Sequence, residues 1–375
     1  MSKVHITLVG GQPAPIFHGV VATGPDKIVY IYSQKSASVL DTLRGEIAID
    51  SESIMLDVTS PHKIKACAEK LASLYESDDV TVNISSGLKS WSHWFSVVFD
   101  KFPNSAMLYI DQNNVVWNYR TMQSSSEHTF DMHTLFRLYG NPIDNHYTPF
   151  IDYTEEDFIA IEKIEDIRRV NFSVFNKLTT VLNDKQKNKL RAQKIGSFID
   201  EDQVSEVKWD KDAHKVNLCI LGKKCLKTES IECPHAVDLV FNAGWFEAKV
   251  ARLLSTWSRA KEICLNCTFP HRTGVPKNEV DIIINTGSKI LFVECKTQIN
   301  NTTDIDKFRS VIKGYGGTGS KGLFVTDAKM TDIARAKCEE HGILTFSLQD
   351  EHLGMPVDKA LFMLLESDME SINTK

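Results

Sequence analysis

Three charged residues in the C-terminal third have the types and spacing for chemistry on a phosphate. In ILFVECKTQ, Ile290 to Gln298, Glu294 and Lys296 stand two apart within a stretch apolar enough for a buried strand. Side chains at i and i+2 of a strand share a face, and a buried carboxylate and ammonium need a partner to offset their desolvation. Asp281 lies 13 residues before Glu294, in VDIIIN, and the NTGSK between the two runs has the turn chemistry of a hairpin at Thr286-Gly287. Such a hairpin brings Asp281 beside Glu294. Two adjacent carboxylates repel unless a cation lies between them, and oxygen donors at this density suit Mg²⁺ or Mn²⁺. Lys296, on the same face, then orients a water or stabilises charge developing on a phosphate. Glu247, about one helix earlier, is a further acidic candidate. For an isolated E-x-K a Glu294–Lys296 salt bridge is the simpler account; the upstream Asp281 and the apolar hairpin tip the reading towards a metal.

Charge along the chain supports this. The 375 residues carry a net charge of −6, yet residues 245–329 hold 13 Lys/Arg against 8 Asp/Glu, the one basic segment. A basic surround beside carboxylates suits a polyanionic substrate handled with a metal, although a solvated basic face has the same composition. With 42% hydrophobic and 25% charged residues the chain reads as globular, and its length allows two or three domains. The opening VHITLVGG is too short and wrongly flanked for a signal peptide or a span. Eight scattered cysteines without a secretion signal predict reduced thiols in a cytoplasm, with no membrane partner.

The elements that must carry these residues follow from periodicity. VHITLVG, KIVYIYS, ESIMLDV, VTVNIS and SAMLYI are strand candidates alternating with helix-like stretches, one of them opening on Ser60-Pro61 as N-cap and N1. This βαβα order predicts a parallel doubly wound sheet, with VVWNYR as an antiparallel edge. Turn-forming residues near Gly140 mark a boundary. A helix pair and a hairpin turning near DKDAH follow. AGWFEAKVARLLSTW then predicts a helix, ahead of the Asp281–Glu294 hairpin and a mixed sheet flanked by helices.

Two loops of the first domain sit where an α/β fold binds ligands: Gly10-Gly11-Gln12-Pro13 after the first strand, and Ser85-Ser86-Gly87 with Lys89 and Ser90 after the fourth. Neither is a phosphate-binding fingerprint by itself, and each alone reads as turn glycines.

EVDIII followed by FVECKT resembles the PD-(D/E)XK nuclease signature, with Asp281 for its aspartate and Glu294-Cys295-Lys296 for its E-x-K; Val280 stands where proline is usual. GWFE, ending in Glu247, is similar to the helix that supplies the extra acidic residue. VNISSGLKSW resembles the N-x-T/S-G-G-T-K loop of the CRISPR-associated CARF-domain nucleases, through Asn83, Ser86, Gly87 and Lys89, departing at Leu88. The resemblance implies an α/β chain: a Rossmann-like CARF sensor at 1–145, a winged-helix-like connector at 146–232 and a restriction-endonuclease-like domain at 233–375. It implies a metal-dependent endonuclease of type III CRISPR antiviral defence, cutting DNA and/or RNA. A cyclic oligoadenylate, often the tetra-adenylate, would be shared by the two sensors of a homodimer. Asp281 and Glu294 would hold Mn²⁺ or Mg²⁺ with help from Glu247 and the Cys295 carbonyl. Lys296 would assist the attacking water. A restriction-type DNA endonuclease with another nucleotide sensor, and a non-enzymatic nucleotide-sensing regulator, are the rival expectations.

Other constellations are weaker. Cys264-x-x-Cys267 with His271 is half a zinc site without a second half, and reads as buried thiols. His93 between Trp91 and Trp94 reads as packing. In KGYGGTGSKG, Lys313 is placed to contact nucleic-acid phosphates and Tyr315 is expected exposed, for stacking on a base.

Overall fold

A computed structural model describes residues 1–56, 59–111, 114–125, 130–143, 147–182, 190, 192–241, 243–269, 279–287, 289–298, 302–316, 320–352 and 354–370, the last two without side chains. The N-terminal domain contains β1 (Lys3–Leu8), α1 (Ala14–Thr23), β2 (Lys27–Tyr32), α2 (Ala37–Glu46), β3 (Asp50–Met55), α3 (Pro61–Leu74), β4 (Asp79–Asn83), α4 (Lys89–Phe99), β5 (Ser105–Ile110), β6 (Val116–Asn118) and β7 (Gln123–Ser125). The sheet order is β3-β2-β1-β4-β5-β6-β7. Its first five strands are parallel and the last two antiparallel, as expected. Both faces are covered, which is why β2 reads as an unbroken apolar run. Ile64, Ala68, Trp91 and Phe95 of α3 and α4 pack on Ile6, Val29 and Val82. Ile16, Val20, Leu40 and Leu43 of α1 and α2 pack on Ile28 and Tyr30 of the other face. The strand order reverses between β1 and β4, so a crevice opens beyond their C-terminal ends.

Next comes α5 (Met132–Leu138), capped by Asp131, whose carboxylate accepts the Thr134 N–H at 2.8 Å. It faces both ways: Arg137 pairs with Glu46 of α2 at 2.9 Å, while Phe136 meets Phe269 and Phe292 of the C-terminal domain edge-on at 5.2 and 6.1 Å. The two-residue β8 (Thr148–Pro149) pairs with a strand of the C-terminal sheet. It falls inside the expected connector, and two residues carry no periodicity.

The connector proper is α6 (Glu155–Arg168), α7 (Phe172–Thr179) and β9 (Ile195–Ile199), β10 (Glu206–Asp210), β11 (Lys215–Leu221) and β12 (Leu226–Glu232). The expected hairpin is β10–β11. It is the centre of a four-stranded antiparallel sheet, β12-β11-β10-β9, so the segment is a larger meander than the wing that was expected. Val207, Trp209, Val216, Leu218 and Ile220 alternate onto one face, against Ile161, Ile164, Phe175 and Leu178 of α6 and α7. That core is continuous with the C-terminal one.

The C-terminal domain adds α8 (Ala236–Phe241), α9 (Gly244–Ser255), β13 (Glu262–Thr268), β14 (Glu279–Asn285), β15 (Ile290–Lys296), α10 (Thr303–Tyr315), β16 (Lys321–Thr326), α11 (Asp332–Glu340), β17 (Ile343–Ser347) and α12 (Val357–Glu370). Its six strands run β17-β16-β15-β14-β13-β8, a mixed sheet. The β13–β14 register runs unshifted from Leu265–Ile282 to Cys267–Val280, with Asn266, at φ +54°, between the two pairs. Among the described residues no helix is long and apolar enough to cross a membrane.

One buried carboxylate staples the connector to α8. Fully buried Asp157 accepts the Thr154 N–H (2.9 Å), the His235 N–H (3.1 Å) and His235 Nδ1 (3.0 Å). Burial alone would raise its pKa, yet these donors outweigh it and hold the carboxyl below the usual range. The stabilisation is therefore present above about pH 4 and lost as pH falls through the folded value. Asp157→Ala should lose about 2–4 kcal/mol at pH 7, since it strands buried donors. Urea unfolding should show that gap closing under acid.

Candidate active site

The register decides where the acidic residues meet. Ile282 pairs with Val293, Ile283 with Phe292 and Ile284 with Leu291. The next position in that register sets Asp281 across from Glu294, on one face. There the Asp281 carboxylate accepts the Cys295 N–H at 2.7 Å. Lys296 Nζ stands 2.6 Å from Glu294 and 4.0 Å from Asp281, and the two carboxylate side chains are each 16% exposed. Alternation turns the Cys295 thiol into the opposite core. Glu247 occupies the first turn of α9, which packs on β13, β14 and β15 from that opposite side. It comes close enough for Asp281, Glu279, Lys296 and Glu294 all to act on its charge.

The charges are unbalanced. Burial, then Asp281 and Glu279, lift the Glu247 carboxyl well above its ordinary range. Burial also raises Asp281, offset only in part by Lys296 and the Cys295 N–H. Glu294 is pushed up to about 7 by burial and by Asp281. Burial opposes the Lys296 charge, but Asp281 and Glu294 prevail and hold the ammonium above its usual value. Lys296 therefore carries a full charge at neutral pH. The expected salt bridge exists, yet among the described residues one ammonium serves three carboxylates.

That donor set fits a divalent cation. It is all oxygen, half-open and in excess of negative charge, the preference of Mg²⁺ or Mn²⁺ rather than of zinc. Among the described residues no three His, Cys, Asp or Glu side chains already form a metal-holding group; the Lys296 ammonium lies between the Asp281 and Glu294 carboxylates. Two further acids escaped the sequence reading. Glu279 precedes Asp281 by two on β14, a spacing that could have flagged it. Asp304, in the first turn of α10, acts on Glu294 and Lys296, and only tertiary packing brings it there.

The two N-terminal loops also meet. The Gly10 N–H donates to Ser86 Oγ at 3.2 Å. A Cβ on Gly10 would lie 2.5 Å from the Gly87 nitrogen, and Gly87, at φ +81°, would place one 2.7 Å from Leu8 Cβ, so both positions require glycine. Gly11 and Gln12 are exposed and Pro13 is buried. Pro13 and Leu88 stand at the N-caps of α1 and α4 without a side-chain cap. Lys89 and Ser90 are exposed in the first turn of α4. Ser85 is turned inward: its hydroxyl donates to Asn83 at 2.6 Å and accepts the Ile110 N–H at 2.7 Å. Asn83 in turn donates to the Pro15 carbonyl at 3.2 Å. Ser85 and Asn83 thus brace the crevice.

The expected exposed Tyr315 is corrected. It is half-buried and stacked on Phe269 with centroids 4.0 Å apart, at the rim of the core. Phe269 takes the face that was assigned to a base. Lys313 is exposed. Cys264 and Cys267 are both buried in the same core cluster, on either side of the positive-φ Asn266. Cys264 and burial raise the Cys267 pKa, so it stays a thiol; His271 lies outside the described residues. His93 is exposed, edge-on to Trp94 at 5.2 Å.

Comparison with known proteins agrees with this arrangement. Residues 267–350, which include Asp281, Glu294 and Lys296, match the restriction endonuclease family model Mrr_cat. The C-terminal domain is a restriction-endonuclease-type nuclease domain. No curated protein matches the chain in sequence. In fold, 97% of the chain superposes on 98% of Can2 from Sulfobacillus thermosulfidooxidans, solved with cyclic tetra-adenylate, at TM-score 0.65 and 14% identity. The protein VC1899 from Vibrio cholerae matches over 98% of this chain and 97% of its own, at TM-score 0.70 and 12% identity. A type III CRISPR defence DNA nuclease activated by cyclic oligoadenylate matches 96% of this chain over 52% of its own, at TM-score 0.55 and 15% identity. The chain thus shares the fold of these structures, with a Rossmann-like domain ahead of its nuclease domain.

The charge excess in the nuclease domain has a thermodynamic signature. A carboxyl raised from about 4.5 to about 7 on folding makes the protein less stable as pH rises through that window. In chelator at pH 8, Glu294→Gln should therefore raise Tm by about 2 °C or more, and the gain should vanish near pH 5. Mn²⁺ at pH 8 should raise Tm for the unaltered chain but not for the variant. Thermal melts across that pH range check both.

Proposed function

We propose that the chain is a metal-dependent nuclease switched on by a cyclic oligoadenylate, cyclic tetra-adenylate foremost, in type III CRISPR defence in the cytoplasm. The observation that carries the hydrolytic half is the set of three half-buried carboxylates served, among the described residues, by a single ammonium. Asp281 and Glu294 hold Mn²⁺ or Mg²⁺, with Glu247 and the Cys295 carbonyl completing the donor set. A cation held there would supply a water of lowered pKa and would screen the phosphodiester. Lys296, already protonated, acts as a donor that orients that water and neutralises charge growing on the phosphate. It does not act as a base. DNA or RNA reaches the site across the basic 245–329 segment, with Lys313 on its exposed side.

The activator half rests on the crevice between β1 and β4. Gly10, Gly11, Gln12 and Pro13 face Ser86, Gly87, Lys89 and Ser90 there, with Ser85 behind them. Backbone N–H groups at two uncapped helix starts and the Lys89 ammonium suit phosphates in an otherwise acidic domain. A cyclic ligand fits the two-fold axis of a homodimer. The Can2 complex and the activated DNA nuclease share this fold and support the reading.

A physical link joins the two sites. Ile110, held by Ser85, leads through Asp111 to Asn114, whose N–H donates to the Asp111 carbonyl at 3.0 Å. Buried Asn114 Nδ2 donates to the Gly287 carbonyl at 2.7 Å, in the turn of the hairpin that bears Asp281 and Glu294. Asn114→Ala should cut the ratio of activated to basal cleavage about 10-fold.

The deciding experiment incubates labelled single-stranded and duplex DNA and RNA with Mn²⁺, with and without cyclic tetra-adenylate. Activator-dependent cutting that Glu294→Ala abolishes is expected. Absence of cutting in every combination removes the enzyme reading. Cutting indifferent to the activator favours a restriction-type enzyme with another sensor.

A further inference from the structure

The connector helix α6 holds the nuclease domain from behind at three points on α9, one of them Arg252, which pairs with Glu155 at 3.4 Å and lies 4.2 Å from the Phe158 ring. Glu165 accepts from Lys249 at 2.5 Å. Three residues on, the Arg168 guanidinium lies 5.0 Å from the Trp245 ring and 4.8 Å from that of Phe172. Trp245 and Lys249 are four apart on α9, hence on one side of it. Glu247, between them, is rotated roughly 200° from Trp245 and points away from α6. The grip on the back of α9 therefore fixes the rotation that aims Glu247.

Arg168 also reaches the strand end that carries the lysine. Its Nη1 pairs with Asp327 Oδ2 at 2.8 Å, with side chains only 14% and 9% exposed. Asp327 directly follows β16, and its N–H donates to the Lys296 carbonyl at 3.2 Å. Lys296 is itself paired with Thr326 in the β15–β16 ladder. One guanidinium thus contacts both the helix of Glu247 and the residue that anchors the backbone of Lys296. Its planar fork and stacked face suit both tasks, whereas an ammonium offers neither. No other described ion pair joins α6 to this strand end.

We propose that Arg168 is a positioning residue for phosphodiester hydrolysis, fixing Glu247 and Lys296 relative to one another through Trp245 and Asp327. This rests on reading Asp281, Glu294 and Lys296 as the hydrolytic site. Supporting partners of this kind are worth about 10–100-fold in metal affinity or activity. The defect should appear in the single-turnover rate at saturating nucleic acid and in the Mn²⁺ needed for half-maximal rate. The KM for nucleic acid should stay near that of the unaltered chain.

The test measures single-turnover cleavage for Arg168→Lys, Asp327→Asn and the double variant, each corrected for folded fraction by its melting curve. Each single substitution should slow cleavage about 10-fold. The double should be no slower than the worse single, since both break one connection. Multiplying losses in the double, unchanged rates in folded singles, or losses confined to KM would each overturn the proposal. Glu294→Ala, run alongside, separates the two readings. If it still cleaves, the hydrolytic site itself has been misplaced; if it is dead while the Arg168 and Asp327 variants cleave normally, only the positioning role fails.

Discussion

The C-terminal domain is organised around an electrostatic imbalance. Glu247, Asp281 and Glu294 converge where, among the described residues, the Lys296 ammonium alone answers them. At an effective dielectric of about 20, two unit charges about 4 Å apart interact by about 4 kcal/mol. That approaches the whole net stability of an ordinary domain, about 5–15 kcal/mol. Such a cluster persists only where the backbone beneath it is fixed by other means. Here Ile282, Ile283 and Ile284 on one strand and Leu291, Phe292 and Val293 on the other are all fully buried. Apolar packing on both faces of the hairpin holds together carboxylates that would otherwise separate.

The hairpin has a second end, and that end is polar. Buried Asn285 donates to the Phe130 carbonyl and accepts the Gly287 N–H at 2.8 Å. The Glu262 carboxylate, near Asn285, accepts the Met132 N–H at 2.8 Å. Asn114 closes the same turn from the N-terminal domain. Residues from three places in the chain therefore meet at the turn opposite the acidic cluster. Because the strands between are close-packed, displacement at the turn is transmitted rather than absorbed.

Much of this was legible because periodicity reports burial. The parallel strands β1, β2 and β5 announced themselves as apolar runs, and the 13-residue spacing from Asp281 to Glu294 around Thr286-Gly287 gave the register. Where side chains are solvated, the signal disappears. β9 buries little, with Ile195 and Ile199 exposed, and β12 is mostly polar, so a four-stranded sheet read as one hairpin. Tyr315 looked exposed because glycines surround it in sequence; Phe269, far away in the chain, covers it. Arg168 had no signal at all in IRRV, since its partners lie 77 and 159 positions further on, at Trp245 and Asp327. Sequence patterns reveal which faces are buried, not which distant side chains share them.

The two junctions of the nuclease domain lie on opposite faces of its sheet, and their placement assigns them different work. The connector shares one continuous hydrophobic core with it, from Ile164 and Trp209 through Phe246 to Val293. Parting them would expose large apolar surfaces at about 25 cal/mol per Å², so connector and nuclease move as one body. The N-terminal domain reaches the hairpin turn through the Asn114 hydrogen bond, which contributes about 1 kcal/mol net. It also shares apolar contacts with the other face of the nuclease sheet: Phe17 of α1 packs on Phe130, and α5 places Leu138 among Val9, Ile16 and Val20 and Phe136 on Phe269 and Phe292. A ligand in the β1–β4 crevice therefore acts on the hairpin turn and on the α5 face, while the grip of α6 on α9 lies across the sheet from both.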